Sequence, residues 1–420
     1  VLSLAPDDVD QLAKMMAQFE FVDPDETIAR NIREAGLDPD DRRYRQFAAL
    51  WRDMQDLPRH LGQHSGGMVV CQGRLDDIVP LENASMPGRV VVQWDKDDCA
   101  DLGIVKVDLL GLGMMAALEE AITIINSGDA PASGTATVDL AHLPPADPAV
   151  YRMLQTADTV GVFQVESRAQ MATLPRMCPT TFYDIVVEVA LIRPGPIVGN
   201  MVHPYLARRR GDQPVAYAHP LLEPVLKRTL GIPLFQEQLL RMAMAVANFS
   251  GGEAEELRRA MGFKRSMARM QQIEGRLRDG MAKQGIIGKS ADEIVQSITS
   301  FALYGFPESH AASFALIVYA SAYLKAHFPA AFYTALLNNQ PMGFYSAATL
   351  VKDAQRRRVR FVPVDVTVSS WGCRVADDGA IRMGLRFVKG LRAETGRRIE
   401  GARGQFDSID TLVVAAQRHA

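Results

Sequence analysis

Residues 103–113 read GIVKVDLLGLG, an apolar segment that contains one ammonium group, on Lys106, and one carboxylate, on Asp108. Alternation along residues 104–109 predicts a β-strand whose apolar side chains share one face and whose two charged side chains share the other. If this segment is buried, each charge needs a partner or a chemical role, because burying an unpaired charge is costly. The pattern therefore predicts either an ordinary Lys–Asp surface pair or one wall of a site that binds phosphates and metal ions.

The composition of the 420 residues is that of a globular protein, with 48% hydrophobic and 23% charged residues and a net charge of −3. This length is enough for two or three domains. No apolar run of about 18 residues occurs, so we expect no membrane span. The chain begins without Met and without a signal peptide, and we expect it to be the middle of a longer protein. The cysteines are far apart and form no CxxC pair, which argues against disulfides or a zinc site and fits a reducing cytosol: Cys71, Cys99, Cys178 and Cys373.

Hydropathy patterns predict regions of different secondary structure along the chain. Residues 7–56 predict short amphipathic helices separated by turns that contain Asp and Pro. Residues 64–112 predict the closing part of a small sheet, and RVVVQWDKDD (89–98) continues its strand-like pattern. The period then becomes helical at MMAALEEAITIIN, which we expect to end near Ser127-Gly128.

A mainly helical region follows to about residue 340, and Ser250 with Glu253 three residues later predicts a capping box in it. Strand composition returns at residues 359–369 and 373–388, and the second of these segments predicts a hairpin that turns at Asp378-Gly379. The sequence therefore predicts an α+β fold that is mainly helical.

Three basic clusters interrupt a nearly neutral chain: ARRR (207–210), LRRAMGFKR (257–265) and QRRRVR (355–360). Spaced basic patches on one face could bind a polyanion. Solvated helix faces explain each cluster equally well.

The segment GIVKVDLLGLGMMAALEEA (103–121) resembles the segment that carries the third catalytic aspartate in the C-family bacterial DNA polymerases, the alpha-subunit type of DNA polymerase III. LNNQPMGFY (337–345) and FPESHAASFAL (306–316) are closer to the error-prone, lesion-bypass branch of this family than to its replicative branch. Other blocks occur in the family's order: RHLGQHSGGMVV (59–70), QWDKDD (93–98), TVGVFQVESRAQM (159–171), ALIRPGPIVGNMV (190–202), GIPLFQEQLLRMA (231–243), LRRAMGFKR (257–265) and YGFPESHAASFALIVYASAYLKAHFP (304–329).

The resemblance implies a polymerase architecture. We expect a thumb at residues 1–63, the C-terminal part of a small mixed β-sheet palm at 64–113, and large helical fingers at 114–366. Residues 367–420 are similar to the beginning of a helix-hairpin-helix DNA-binding region, with Gly390 in the hairpin turn.

The resemblance also implies roles for individual residues. Asp108 would be a catalytic carboxylate that binds metal, and Lys106, Arg258 and Arg259 would contact the phosphates of the incoming nucleotide. His310 would lie beside the nascent base pair. Since consecutive residues on a helix point about 100° apart, Arg258 or Arg259 could instead be structural or contact the DNA backbone, and His310 could simply belong to a packed helix start.

Further DNA or nucleotide contacts are implied by the same resemblance, and for the first three of them a structural role explains the residue at least as well: Gln164, Ser167, Arg168, Lys264, Arg265, Lys389 and Gly390. In the hairpin, backbone N–H groups would contact phosphates without reading sequence.

By resemblance, the activity is template-directed nucleotidyl transfer from a dNTP to a primer 3′-OH with two Mg²⁺ ions, in error-prone translesion synthesis during the DNA damage response. The implied partners are primer–template DNA, dNTPs and, through regions outside these residues, a sliding clamp and mutagenesis accessory proteins. The implied location is the bacterial cytoplasm, at the nucleoid.

The family's other two catalytic aspartates lie in a Pro-Asp-x-Asp-x-Asp motif, which does not occur among the 420 residues. APDDVDQ (5–11) resembles it superficially, but we interpret it as the turn that starts a helix. We therefore expect the other metal ligands to lie outside this chain and the chain alone to be inactive. A replicative alpha subunit and a non-catalytic, DNA-binding relative remain the alternatives.

Overall fold

A computed structural model describes residues 2, 4–15, 24–54, 64, 66–128, 137–192, 202–262, 267–301, 306–343 and 345–417. Helices predominate over short strands, as the sequence predicts. The helices are α1 (Pro6–Met15), α2 (Pro24–Glu34), α3 (Arg42–Asp53), α4 (Lys96–Asp101), α5 (Leu112–Asn126), α6 (Pro148–Gln155), α7 (Arg168–Met177), α8 (Phe182–Leu191), α9 (Val202–Arg210), α10 (Glu223–Leu226), α11 (Gln236–Ala247), α12 (Gly251–Gly262), α13 (Met267–Lys283), α14 (Lys289–Phe301), α15 (Glu308–His327), α16 (Pro329–Asn338), α17 (Ala347–Arg356), α18 (Ala393–Gly401) and α19 (Ile409–Gln417). The strands are β1 (Gly67–Val70), β2 (Leu81–Asn83), β3 (Val90–Val92), β4 (Val105–Asp108), β5 (Phe361–Val362), β6 (Arg374–Val375) and β7 (Ile381–Arg382).

The chain forms two compact units and contributes several separate segments to each. The first unit consists of Val1–Asp108, Pro196–Met201 and Val215–Phe306. The second consists of Leu109–Gly195, Val202–Pro214 and Pro307–Ala420.

The amino-terminal helices α1–α3 of the first unit confirm the helical prediction for residues 7–56. They bury a small apolar cluster that includes Leu12, Ile32 and Tyr44. The Tyr44 hydroxyl donates a hydrogen bond of 2.6 Å to the Asp8 carboxylate. Since Asp8 lies in the first turn of α1, APDDVDQ is a helix start, as predicted.

Two antiparallel pairs, β1 with β4 and β2 with β3, form small sheets in the first unit. The strand predicted over RVVVQWDKDD (89–98) is present only as β3, and the prediction is wrong for its second half, because α4 begins at Lys96. The Asp98 amide donates to the Asp95 carboxylate at 2.9 Å, and the Asp95 amide donates to that of Asp98 at 3.2 Å. This reciprocal pair caps a helix.

Helices α11–α14 bury the larger apolar core of the first unit. The predicted capping box is present, since Ser250 and Glu253 exchange hydrogen bonds between side chain and backbone. The Arg276 guanidinium joins α13 to this helix start through Glu253, at 2.6 Å. These bonds lower the pKa of Glu253 to about 2, first through the backbone amide of Ser250.

The centre of the second unit is α15, which packs against α5, α6, α8 and α16. Most of its residues from Ala311 to Lys325 are buried, as expected for a helix at the centre of a core. Its Lys325 side chain is 0% exposed and pairs with Asp353 at 2.9 Å and Asp158 at 3.1 Å. The predicted helix over residues 114–126 corresponds to α5, which ends at Asn126.

The carboxyl-terminal part of the second unit contains a three-stranded sheet in the order β5-β7-β6, with β5 parallel and β6 antiparallel to β7. The hairpin predicted at Asp378-Gly379 is confirmed, and Gly379 has a φ of +75°. Only two residues of 359–369 form a strand. Thr367 donates from its amide to the Asp365 carboxylate at 2.9 Å, a local turn that competes with strand pairing.

Asn338 at the end of α16 connects this carboxyl-terminal part to the rest of the second unit. Its side-chain amide donates to Glu120 of α5 at 2.6 Å and exchanges two hydrogen bonds with the Cys373 backbone. The Arg386 guanidinium donates to the carbonyl groups of Asn338 and Gln340. Among the helices of the described residues, none is long and apolar enough to cross a membrane.

Candidate active site

Lys106 and Asp108 occupy one face of the β1–β4 pair, as the alternation predicts. Asp108 lies opposite Gly67, and Lys106 lies opposite Val69. Side chains of directly opposed residues share a face in an antiparallel pair. The strand is not buried, because the apolar Val105 of its other face is 60% exposed. The charged side chains therefore do not lie in an apolar core of the described residues.

The Asp108 side chain is 39% exposed and lies beside the imidazole of His64, a residue that the sequence did not identify as part of the site. His64 Nε2 is 3.6 Å from Asp108 Oδ2, and His64 Nδ1 accepts a hydrogen bond from the Gly66 amide at 3.2 Å. Gly67 makes this arrangement feasible, since a Cβ there would lie 2.9 Å from His64 Nδ1 and 3.2 Å from Lys106 Cε. In the sequence, His64 could have been found from the block HSGG (64–67), which leads into β1, the strand that pairs with β4.

The residues of this face fit one part of a magnesium site. An accessible carboxylate oxygen is a ligand that Mg²⁺ prefers, and an adjacent ammonium suits the phosphates that such an ion binds. Within the described residues, no group of three or more His, Cys, Asp and Glu side chains is arranged to hold a metal. Asp108 is therefore a candidate single ligand of a site that needs further carboxylates.

Arg258 lies on α12 in the first unit, where its guanidinium binds Glu255 three residues earlier at 2.6 Å and 2.9 Å. Its side chain is partly exposed, so this surface pair contributes little to stability. Arg259 follows it on the helix, with its side chain outside the described part. Lys264 and Arg265 also lie outside the described residues.

In the second unit, His310 and the loop that carries Gln164 lie in the same region. The His310 ring contacts the Phe314 ring, with centroids 4.1 Å apart. Phe314 in turn meets Phe163 edge to face at 5.3 Å. A Cβ on Gly111, which begins α5 with a φ of +92°, would lie 3.1 Å from the Phe163 ring.

Ser167 and Arg168, the next two predicted DNA or nucleotide contacts, have different environments. The Ser167 hydroxyl accepts from the Gln170 amide at 3.3 Å, and the Gln170 side chain accepts from the Ser167 amide at 3.2 Å. Ser167 therefore caps α7, which is the structural alternative. Arg168 is the first residue of that helix, and it is exposed.

The predicted hairpin turn is present in the second unit. A single 3₁₀ turn, Leu385–Phe387, precedes it, and α18 follows it. Lys389 and Gly390 are exposed, and Gly390 has a φ of +85°. Both residues of the turn are therefore accessible to solvent, as contact with a phosphate requires.

The sequence did not identify Glu166, which lies between the predicted contacts Gln164 and Ser167, as a residue of this region. Glu166 accepts a hydrogen bond from the Gly161 amide at 3.0 Å, and its burial raises its pKa to about 7. The residue pattern around Glu166 contains no sign of this burial, because the contacts that close the loop come from distant parts of the chain, such as Ser321.

Comparisons with known proteins cover most of the chain. Residues 1–111 match the model of the bacterial DNA polymerase III alpha NTPase domain. Residues 114–285 match the finger domain of the same subunit, and residues 358–420 match a helix-hairpin-helix motif.

Curated relatives align with nearly all of the chain. An error-prone DNA polymerase of Anaeromyxobacter sp. (strain K) is 50% identical over 99% of it. The proteins of the same name from Pseudomonas aeruginosa and Methylococcus capsulatus are 48% identical over 97% and 45% identical over 98% of it. The chain spans 38%, 39% and 41% of the lengths of these three relatives. The chain belongs to the bacterial DNA polymerase III alpha-subunit family, and its similarity is to the error-prone branch, as its motifs predict.

Proposed function

We propose that the protein containing this chain is an error-prone, DNA-directed DNA polymerase that joins a dNTP to a primer 3′-OH. The observation that carries this proposal is that Lys106 and Asp108 lie on one solvent-accessible face of β4, in a chain that aligns throughout with proteins of that name. The likeness to the error-prone relatives favours translesion synthesis over replicative synthesis.

In this proposal the chain's residues bind and orient the reactants. Asp108 would hold metal through its accessible carboxylate, and Lys106 would bind the phosphates of the nucleotide. Arg258 and Arg259 would add further phosphate contacts, and His310 would contact the nascent base pair. When bound, two Mg²⁺ ions would neutralise the charge that develops on the transferring phosphoryl group.

We assign the residues to the domains of a polymerase as follows: thumb at 1–63, the end of the palm at 64–113, fingers at 114–366 and the start of the helix-hairpin-helix region at 367–420. The exposed turn at Lys389 and Gly390 would contact phosphates of the duplex. We also propose that the protein works in the cytoplasm at the nucleoid, with a sliding clamp and mutagenesis accessory proteins as partners.

The test of the proposal is Asp108→Asn in the full-length protein. This change keeps the shape of the side chain and removes the charge that a metal needs. We expect primer extension to fall at least a hundredfold, while the dissociation constant for primer–template DNA changes by less than about threefold. Gel-based extension and fluorescence anisotropy measure the two quantities.

Glu82→Gln is the matched control, because Glu82 is an exposed acid on strand β2, in the other two-stranded sheet of the first unit. It should leave both quantities unchanged. Extension by Asp108→Asn at the rate of the parent protein would exclude Asp108 as a metal ligand.

A further inference from the structure

The imidazole of His64 shares the face of the β1–β4 pair that carries Lys106 and Asp108. A Cβ on Gly67, the residue opposite Asp108, would lie 2.9 Å from His64 Nδ1 and 3.2 Å from Lys106 Cε. The ring and the lysine side chain therefore approach the strand in the space that a larger residue at this position would fill. Glycine at position 67 thus brings an imidazole, an ammonium and a carboxylate together.

The hydrogen bond of the His64 ring decides which of its nitrogens carries the proton. Nδ1 accepts from the Gly66 amide at 3.2 Å, and an accepting ring nitrogen has no proton, so the proton of the neutral ring is on Nε2. Nε2 lies 3.6 Å from Asp108 Oδ2. This distance is longer than a hydrogen bond, and the N–H group and the carboxylate attract each other as a dipole and a charge. The backbone at Gly66 therefore directs an N–H group toward the carboxylate.

Neither stability nor metal ligation by the ring explains this arrangement. The side chains of His64 and Asp108 are 45% and 39% exposed, and so exposed a pair contributes little to the free energy of unfolding. An imidazole nitrogen is not a ligand that Mg²⁺ prefers, since this ion binds oxygen. The remaining role for the ring is to restrict the orientation of the carboxylate beside it.

We propose that His64 is a positioning residue, which orients the Asp108 carboxylate for metal binding through its Nε2–H group. The inference deepens the proposed function and rests on it, because the role of Asp108 as a metal ligand is part of that function. Carboxylates that bind metals are themselves held by neighbouring hydrogen-bond donors, and the loss of such a donor weakens metal binding by roughly 10- to 100-fold.

The test compares His64→Ala with His64→Gln in the full-length protein, because the Gln carboxamide restores an N–H donor near the position of Nε2. Mn²⁺, which binds the same kinds of oxygen ligand as Mg²⁺, is titrated with primer–template DNA present, and electron paramagnetic resonance measures the free ion. Only the Mn²⁺ that Asp108→Asn fails to bind is counted as bound at this site. We expect His64→Ala to raise the dissociation constant of this Mn²⁺ about tenfold and His64→Gln to stay within about threefold of the parent protein.

Primer extension should separate metal binding from the rate of the chemical step. His64→Ala should raise the Mg²⁺ concentration for half-maximal extension about tenfold, while the rate at saturating Mg²⁺, the KM for dNTP and the melting temperature stay those of the parent protein. Gly67→Ala should weaken Mn²⁺ binding in the same way, because its Cβ displaces the ring. Combined with His64→Ala, it should add little, since both changes act through one contact.

His142→Ala is the matched control, because His142 Nδ1 lies 2.6 Å from the carboxylate of Asp139 in an exposed pair of the second unit. It should leave Mn²⁺ binding unchanged. Parental Mn²⁺ affinity in His64→Ala, a raised KM for dNTP alone, a loss that only follows a lower melting temperature, or no recovery by His64→Gln would overturn the inference. A parent protein whose Mn²⁺ binding does not depend on Asp108, or that extends no primer, would instead refute the proposed function.

Discussion

Glu188 is a carboxylic acid without a hydrogen-bond partner for either oxygen among the described residues, and it is 0% exposed. Asp184, one turn earlier on α8, contrasts with it, because its carboxylate accepts from the Thr180 and Thr181 amides and from Arg209. Burial raises the pKa of Glu188 from 4.5 to about 8. The hydroxyl of Tyr205 interacts electrostatically with this carboxyl group, and burial raises the pKa of Tyr205 to about 12.

We predict that Glu188→Gln removes a pH dependence of stability. Between pH 4.5 and about 8 the folded protein keeps a proton that the unfolded chain releases, so raising the pH favours unfolding. The cost at pH 7 is about 3 kcal/mol. Urea unfolding at pH 5.5, 7 and 8.5 should show the stability of the parent falling relative to that of Glu188→Gln.

Glu119→Gln provides the control for this change, since Glu119 is an exposed acid on α5. Its stability should follow that of the parent at every pH. Parallel curves for the parent and Glu188→Gln would contradict a neutral, buried Glu188.

At the scale of single residues, the face of a strand or the end of a helix on which a side chain lies follows from the sequence more directly than its burial does. Lys106 and Asp108 share a face because alternation in a strand is a local rule, and Ser167 caps a helix because its spacing to Gln170 is local. The burial of Glu188 and Lys325 was not predictable. Each depends on helices that pack from distant parts of the chain, and Lys325 meets an acid 167 residues away.

At the element scale, sequence rules succeeded where the signal lay within one element. The capping box at Ser250 and the hairpin at Gly379 follow from adjacent residues. The strand prediction for residues 89–98 failed beyond Val92, because we weighted strand-like composition above the capping pair of Asp95 and Asp98 that the sequence also contains. The positive φ of Gln164, +62°, could not be predicted, because contacts with a distant segment, such as the bond from the Phe163 amide to Ser321, hold this loop.

The packing of α18 supplies a prediction at this scale. A Cβ on Gly396 would lie 2.3 Å from the Trp371 ring, so Gly396→Ala should lower the stability of the second unit by about 1–3 kcal/mol through overpacking. Thermal unfolding followed by circular dichroism measures this loss.

Gly401→Ala is the matched control on the same helix, because no atom lies within 4 Å of a Cβ built there. It should leave stability unchanged or raise it, since alanine favours helix more than glycine does. Equal effects of the two changes would show that Trp371 does not restrict this face of α18.

At the scale of the whole molecule, several arginines of the basic clusters are used within the protein. Arg209 binds Asp184 at 2.9 Å and also donates to the Met177 carbonyl. Arg210 binds Asp212, and Arg357 binds Asp158. These pairs reduce the charge that the clusters offer to a polyanion. The sequence shows the clusters but not their partners, because most partners lie far along the chain.

We therefore predict opposite phenotypes for two arginines of the second unit. Arg209→Ala should lower stability by about 2 kcal/mol, because it removes charged hydrogen bonds, and leave DNA affinity unchanged. Arg168→Ala should leave stability unchanged, weaken primer–template binding by the full-length protein and reduce the salt dependence of that binding by about one charge. Denaturant melts and salt titrations of anisotropy separate the two outcomes, and the reverse assignment would contradict the prediction.

The interleaving of the two units has a consequence for synthesis on the ribosome. Glu120 of α5 accepts hydrogen bonds from Asn338 and Asn339, 218 and 219 residues later. A nascent chain that has just released α5 therefore holds this helix without its packing partners while the whole of Val215–Phe306 is translated. Contacts over so long a sequence separation form slowly, so the second unit completes its core late in translation.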